Sequence, residues 1–212
     1  MVLGVIAGML LLSGPAFSQE IQVSRFKDEG LQGWDVQSFK GRTEYSLTSE
    51  DGHAAVKAQS RNAASGLIKK LSLDPHRFRY LRWYWKIGGT IAKGDETSKA
   101  GDDYAARVYV IFPGRFFWQT RAINYIWANH LAKGSHIANA YSSRAVMFAV
   151  ETGNDKAGQW CFEQRDILAD YRTAFGTDPD RIGAIAIMTD TDNTGSEAQA
   201  WYRDVVLATD RQ

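Results

Sequence analysis

The sequence holds a single cysteine, Cys161, in 212 residues. An intramolecular disulfide and a cysteine-rich metal site are both excluded. Set between Trp160 and Phe162, that thiol reads as a packed strand residue rather than a nucleophile. The histidines are His53, His76, His130 and His136, none in HExxH spacing, and His130 and His136 fall in a stretch read as solvent-facing loop. GxSxG elbows, P-loops and dinucleotide glycine fingerprints are all missing, so triad hydrolysis and nucleotide chemistry drop out. Nor is there an excess of one charge: 25 Lys and Arg stand against 24 Asp and Glu. Without an overall field there is no general attraction to nucleic acid or to an acidic membrane, and any charged partner must be recognised locally.

The one long apolar run, residues 2–12 (VLGVIAGMLLL), is too short to span a bilayer comfortably and is broken at Ser13-Gly14-Pro15. Small residues at Ala16 and Ser18 suit a signal peptidase, although no Lys or Arg precedes the run. The expectation is a signal peptide over residues 1–18 and one mature domain over 19–212, exported to the periplasm or secreted, with no stable membrane span after cleavage. An uncleaved anchor is the alternative, against which the length and the Gly-Pro break argue.

What the sequence has in quantity is period-two alternation. In residues 80–87, Leu81, Trp83, Trp85 and Ile87 take one face while Arg82, Tyr84 and Lys86 take the other. In 105–112, Ala106, Val108, Val110 and Phe112 oppose Ala105, Arg107, Tyr109 and Ile111. Further strands are predicted over 54–58, 66–71, 122–127, 145–151, 159–163, 182–189 and 199–208. One helix is predicted: Ile167, Leu168, Tyr171 and Phe175 recur on one side, with Asp166 as cap and Gly176 as stop. Strands in such number with a single helix predict an all-β fold, an antiparallel β-sandwich or jelly roll. Parallel α/β folds would need helices between the strands.

Two loops stand out. Residues 88–101 (GGTIAKGDETSKAG) read as a mobile surface loop or as a cover for a binding face. Phe116, Phe117 and Trp118 are three consecutive aromatics that cannot all face one core, so at least one is expected at the surface or under a loop.

Chemistry is sought where polar residues share a strand face. Asp103, Arg107 and Tyr109 offer an acceptor, donors and a planar ring, the make-up of a ligand face, or else a self-neutralising ion pair at a sandwich rim. Glu163 and Arg165 share a face with Cys161. If Glu163 lay near Asp103, the two would form the carboxylate pair, about 5 to 9.5 Å apart, that glycoside hydrolysis requires. The stretch MTDTDNTG (188–195) resembles a calcium loop at Asp190, Asp192, Thr194 and Gly195, but its twelfth position is Trp201, which offers a cation no oxygen. Asp190, Asp192 and Asn193 are read instead as a turn at the rim of the polar face, whose side chains satisfy backbone groups or a ligand's hydroxyls.

Five motifs together carry a resemblance: GDDYAAR (101–107), INYIW (123–127), QWCFEQR (159–165), DYRTAFG (170–176) and IMTDTDNT (187–194). In these the chain resembles the domain-of-unknown-function 3047 family of bacterial exported proteins, from about residue 26 to residue 207. The resemblance implies no activity. By analogy it implies a galactose-binding-like jelly roll, the architecture of many carbohydrate-binding modules, in which a structural calcium often ties the first strand to the last. Residues 26–30 and 202–205 look like those two segments, so Glu29 or Asp28 with Asp204 are preferred to Asp190 and Asp192 as calcium ligands.

The leading expectation is thus a non-catalytic exported module that recognises a saccharide or envelope glycan through Asp103, Arg107, Tyr109, Glu163, Arg165, Asp190 and Asp192. The alternatives are a glycan-active hydrolase or lyase using a carboxylate pair from this set, and an envelope protein-interaction domain that docks through Phe116, Phe117 and Trp118.

Overall fold

The alternating segments become strands in a computed structural model that describes residues 18–212, so the apolar run 2–12 lies outside the described residues. The strands are β1 (Glu20–Gln22), β2 (Trp34–Lys40), β3 (Glu44–Glu50), β4 (His53–Arg61), β5 (Ala64–Leu73), β6 (Tyr80–Ile87), β7 (Tyr104–Phe112), β8 (Arg121–Ala128), β9 (His136–Asn139), β10 (Ser142–Thr152) and β11 (Cys161–Asp166). Helix α1 (Ile167–Phe175), β12 (Ile182–Asp190) and β13 (Glu197–Ala208) complete the order. One sheet runs β11-β6-β13-β4-β3 with β1 alongside β13, and the other runs β2-β5-β12-β7-β8-β10-β9. Pairing is antiparallel except between β8 and β10, which run parallel. The expected all-β sandwich is therefore what forms.

Burial between the sheets follows the alternation. Leu81, Trp83, Trp85 and Ile87 of β6 are all fully buried. Across the gap, Trp83 stacks on Tyr125 with centroids 5.2 Å apart, and Trp85 packs against Trp127 at 5.7 Å. Each such ring removes roughly 150–250 Å² from water, which makes the aromatic layer the main adhesive between sheets. Helix α1 starts at Asp166, whose side chain accepts from the Ala169 amide, and stops at Gly176 in the left-handed region (φ 69°). It lays Tyr171 against Phe112 at 4.6 Å and closes one end of the core.

β12 is apolar on both faces for two different reasons. Ile182, Ile185 and Ile187 belong to the core between the sheets, whereas Ala184, Ala186 and Met188 are buried but lie outside that cluster. They sit on the outer face of the seven-stranded sheet. A second apolar cluster, Tyr104, Ile126, Ala128, Met147 and Ala149 with Leu131 and Ile137 against it, lies on the same outer side. The loop 88–101 is anchored there rather than loose. Its Glu96 is buried and accepts from the backbone N–H groups of Asn129, His130 and Leu131, while Asn129 accepts from Ile91 and donates to the Asp103 carbonyl.

Candidate functional site

Between these two outer patches the seven-stranded sheet carries a groove of about 390 Å³, within the range of small-molecule sites. Asp102, Arg107, Tyr109, Asn124, Asp190 and Asp192 are among the residues that line it. A smaller apolar cavity of about 100 Å³, lined by Ile68, Ile111 and Ala186, adjoins it and shares Phe39, Tyr109 and Met188 with it. The face thus has a polar end and an apolar end.

A bulge sets which residues of β7 look outward. Arg107 pairs with Met188 and Tyr104 with Asp190, so Ala105 and Ala106 together oppose Thr189. Both alanines join the main core and Tyr104 joins the outer cluster. Strict alternation, which placed Asp103 and Ala105 on the face of Arg107, holds only from Arg107 onward.

Arg107 is the keystone of the groove. Its Nε donates to Asp190 Oδ1 at 2.8 Å and its Nη2 to Asp190 Oδ2; Nη2 also donates to the Asp102 carbonyl at 2.6 Å, and Nη1 to the Tyr109 hydroxyl at 3.1 Å. The guanidinium lies 4.0 Å from the Tyr104 ring centroid. Four of its five N–H donors are consumed by the protein. Burial pushes the Asp190 carboxyl above the usual carboxylate range; Arg107 opposes the rise, and Asp103 and Asp102 add to it. Asp192 is likewise raised by burial and by Asp103, with Lys40 opposing.

Asp103 lies behind the groove. It is fully buried and accepts from the Asn193 and Thr194 amides and from their side chains, at 2.6–3.2 Å. Residues 188–190 thus end β12, and residues 192–195 form a turn whose Asn193 and Thr194 fold onto Asp103, while Asp190, Asp192 and Asn193 reach the groove. One oxygen from each of Asp103, Asp190 and Asp192 lies within 4.8 Å of the others. Both Asp103 oxygens and both Asp190 oxygens are already hydrogen-bonded within the protein.

Glu163 and Arg165 do not join this group. They stand on β11, an edge strand of the opposite sheet. Glu163 is buried, accepts from Trp85 Nε1 at 3.3 Å, and is pushed up to about 7 by burial and then by Glu151. Arg165 holds Asp170 with two hydrogen bonds, 2.9 and 2.6 Å, while Tyr125 donates to the same carboxylate at 2.8 Å. The expected single face of seven residues is corrected to five around the groove and two near the core. The imagined pair of Asp103 with Glu163 is divided between the sheets.

Of the carboxylates expected to hold calcium, Glu29 is met by Arg25 at 3.3 Å and Asp204 by Arg203. Asp28, rather than Glu29, shares a surface cavity of about 450 Å³ with Asp204.

Several groove residues were passed over in the sequence. Asn139 donates to both oxygens of Asp102 at 3.0 Å, and Tyr141, half-exposed, donates to Asn193 Oδ1 at 2.6 Å. Asn124 is 1% exposed; its amide nitrogen rests on the Met147 sulfur at 3.1 Å and its oxygen has no partner. Asn124 did leave a signal, as the lone polar residue of the otherwise apolar run 122–128.

No curated protein matches the chain. Among solved structures it is similar to the family 30 carbohydrate-binding module of the cellulosomal cellulase Cel9D-Cel44B of Clostridium thermocellum, with TM-score 0.50 and 10% identity over 92% of this chain and 99% of that one. A family 29 carbohydrate-binding module gives TM-score 0.44 and 12% identity over 92% and 90%. The endoglucanase Cel12A from Rhodothermus marinus gives 0.44 and 11% over 90% and 98%. At such identities the likeness concerns the fold. The profile of one family, described as a protein of unknown function (DUF3047), matches residues 32–206, and the chain belongs to that family.

Proposed function

We propose that the groove on the outer face of the seven-stranded sheet binds a saccharide, and that the protein is a non-catalytic binding module of the cell envelope or the secreted fraction. The observation that carries this reading is Asn124. A buried amide oxygen without a partner costs about 1–3 kcal/mol, and proteins seldom leave such a group unmatched. Here it lines a groove, where a ligand hydroxyl supplies the missing donor. The Tyr109 hydroxyl accepts from Arg107 Nη1 and spends its own proton on the weak Met188 sulfur acceptor at 3.6 Å, a contact that a ligand oxygen can replace. Exposed rings at Phe39 and Tyr141 flank the opening and suit the apolar face of a sugar. The jelly-roll likeness to a carbohydrate-binding module agrees with this reading.

A glycan-array screen of residues 19–212, checked by mass spectrometry for soluble products, tests it. Binding without products, lost in Asn124→Ala, is expected. Products would make the protein an enzyme, and silence across the array from folded protein would remove the saccharide.

A second reading rests on Phe116, Phe117 and Trp118, which are 47%, 84% and 54% exposed. Phe116 and Trp118 stack on each other at 4.7 Å and form a small aromatic knob. Such a cluster suits the contact patch of an envelope protein. Under that reading Phe117→Ser abolishes partner capture from envelope extracts and Asn124→Ala does not.

A further inference from the structure

The groove's polar end is short of donors. Asp102, Asp190 and Asp192 line it, Asp103 stands behind, and the lining cation is Arg107, most of whose N–H groups are spent on Asp190, Asp102 and Tyr109. Lys40 adds one charge from the rim, donating to the Asp192 carbonyl at 2.8 Å with its Nζ 3.9 Å from the carboxylate. Lys99 adds another from over the Tyr141 ring, 5.3 Å from its centroid, so four carboxylates face three cations, of which Arg107 alone is among the residues lining the groove. Acceptors are plentiful: the Asp102 carboxylate accepts a hydrogen bond only from the Asn139 amide nitrogen, with Arg107 Nη2 4.0 Å away, Asp192 takes Asn193 at 3.4 Å, and the Asn124 oxygen takes nothing. A carboxylate offers about four lone-pair positions, so both aspartates have capacity to spare. Asn124, fully buried and unpartnered on the same groove floor, points independently to a bound donor.

This inference rests on the saccharide reading and narrows it. We infer that the ligand is an amine-bearing saccharide whose ammonium seats at Asp192 and Asp102, and that acidic sugars are excluded. An ammonium supplies three donors and the positive charge the cluster lacks, whereas a uronate would bring a fifth carboxylate against four. The neighbouring hydroxyls reach Asn124 and Tyr109, and the apolar ring face rests toward Met188 and Ile111.

The test is calorimetric titration of the protein at pH 6.5 with three probes: a tetramer of glucosamine, cellotetraose and tetragalacturonate. The glucosamine tetramer is expected to bind at least about tenfold more tightly than cellotetraose, the size of one hydrogen-bonded charge contact, and to weaken with added salt. Asp192→Asn should erase the preference. Lys40→Ala, on a half-exposed side chain that puts the fold at little risk, should instead strengthen amine binding about threefold by removing a competing cation. Equal or tighter binding of cellotetraose, or any binding of tetragalacturonate, overturns the amine assignment while leaving saccharide binding in place. If folded protein binds none of the three and is silent on the glycan array, the saccharide reading fails and this inference with it.

Discussion

Arg107 on β7 and Asp190 on β12 grip each other through two parallel hydrogen bonds on the outer face of the larger sheet, both nearly inaccessible to water. The pair sits where the bulge at Ala105 and Ala106 turns Tyr104 outward, so it holds the bulge, the groove and the Asp102 carbonyl in one geometry.

Breaking that pair from one side strands a buried charge. Arg107→Ala is expected to lower unfolding free energy by about 3–5 kcal/mol in urea titration, and Arg107→Lys should not restore it, because an ammonium cannot reproduce the two-pronged contact. Loss of ligand binding in Arg107→Ala therefore reports the fold as much as the ligand. If Arg107→Lys were as stable as the native chain, the keystone role would be wrong.

Asn124 separates function from stability. Replacing a buried, unmatched amide by an apolar group of similar shape removes a desolvation cost, so Asn124→Leu should hold or raise stability by about 1 kcal/mol while saccharide binding disappears. A urea midpoint that drops sharply in this variant would assign Asn124 to the fold.

Glu163 makes stability depend on pH. Its carboxyl, ordinarily near 4.5, is lifted to about 7 by burial and then by Glu151, so between those values the native state holds a proton that the unfolded chain has released. Stability must then fall as pH rises through that window. Each pKa unit corresponds to about 1.4 kcal/mol, which bounds the loss at about 3 kcal/mol. Glu163→Gln keeps an oxygen for Trp85 Nε1 and should flatten the decline; a decline of unchanged slope would show that another group causes it.

The aromatic knob is predicted to be independent of the groove. Phe117→Ser should change stability by less than about 0.5 kcal/mol, as for exposed positions in general, and leave saccharide affinity unaltered. A change in titrated affinity would show that the loop reaches the groove.

Much of this architecture was legible from local pattern. Leu81 to Ile87 alternate because β6 has one face in the core, and Asp166 and Gly176 mark the ends of α1 because a helix leaves unpaired groups at both termini. β2 and β3 escaped notice for the same physical reason: past Trp34 their side chains are mostly exposed, so no alternation is imposed. The bulge at Ala105 and Ala106 was invisible, since it exists only in register with Met188 and Asp190.

At the site, local pattern was enough to mark Asp103, Arg107, Tyr109, Asp190 and Asp192 as polar residues on or just beyond strands. Which of them meet depends on how the strands are ordered within and between the sheets. Period two tells which side of its own strand a residue occupies, and nothing about which sheet receives that strand. That is why Glu163 and Arg165 read as members of the same face yet stand on the opposite sheet, and why Asn124 of β8 and Asn139 and Tyr141 at the β9–β10 turn meet Asp190 of β12 in one groove.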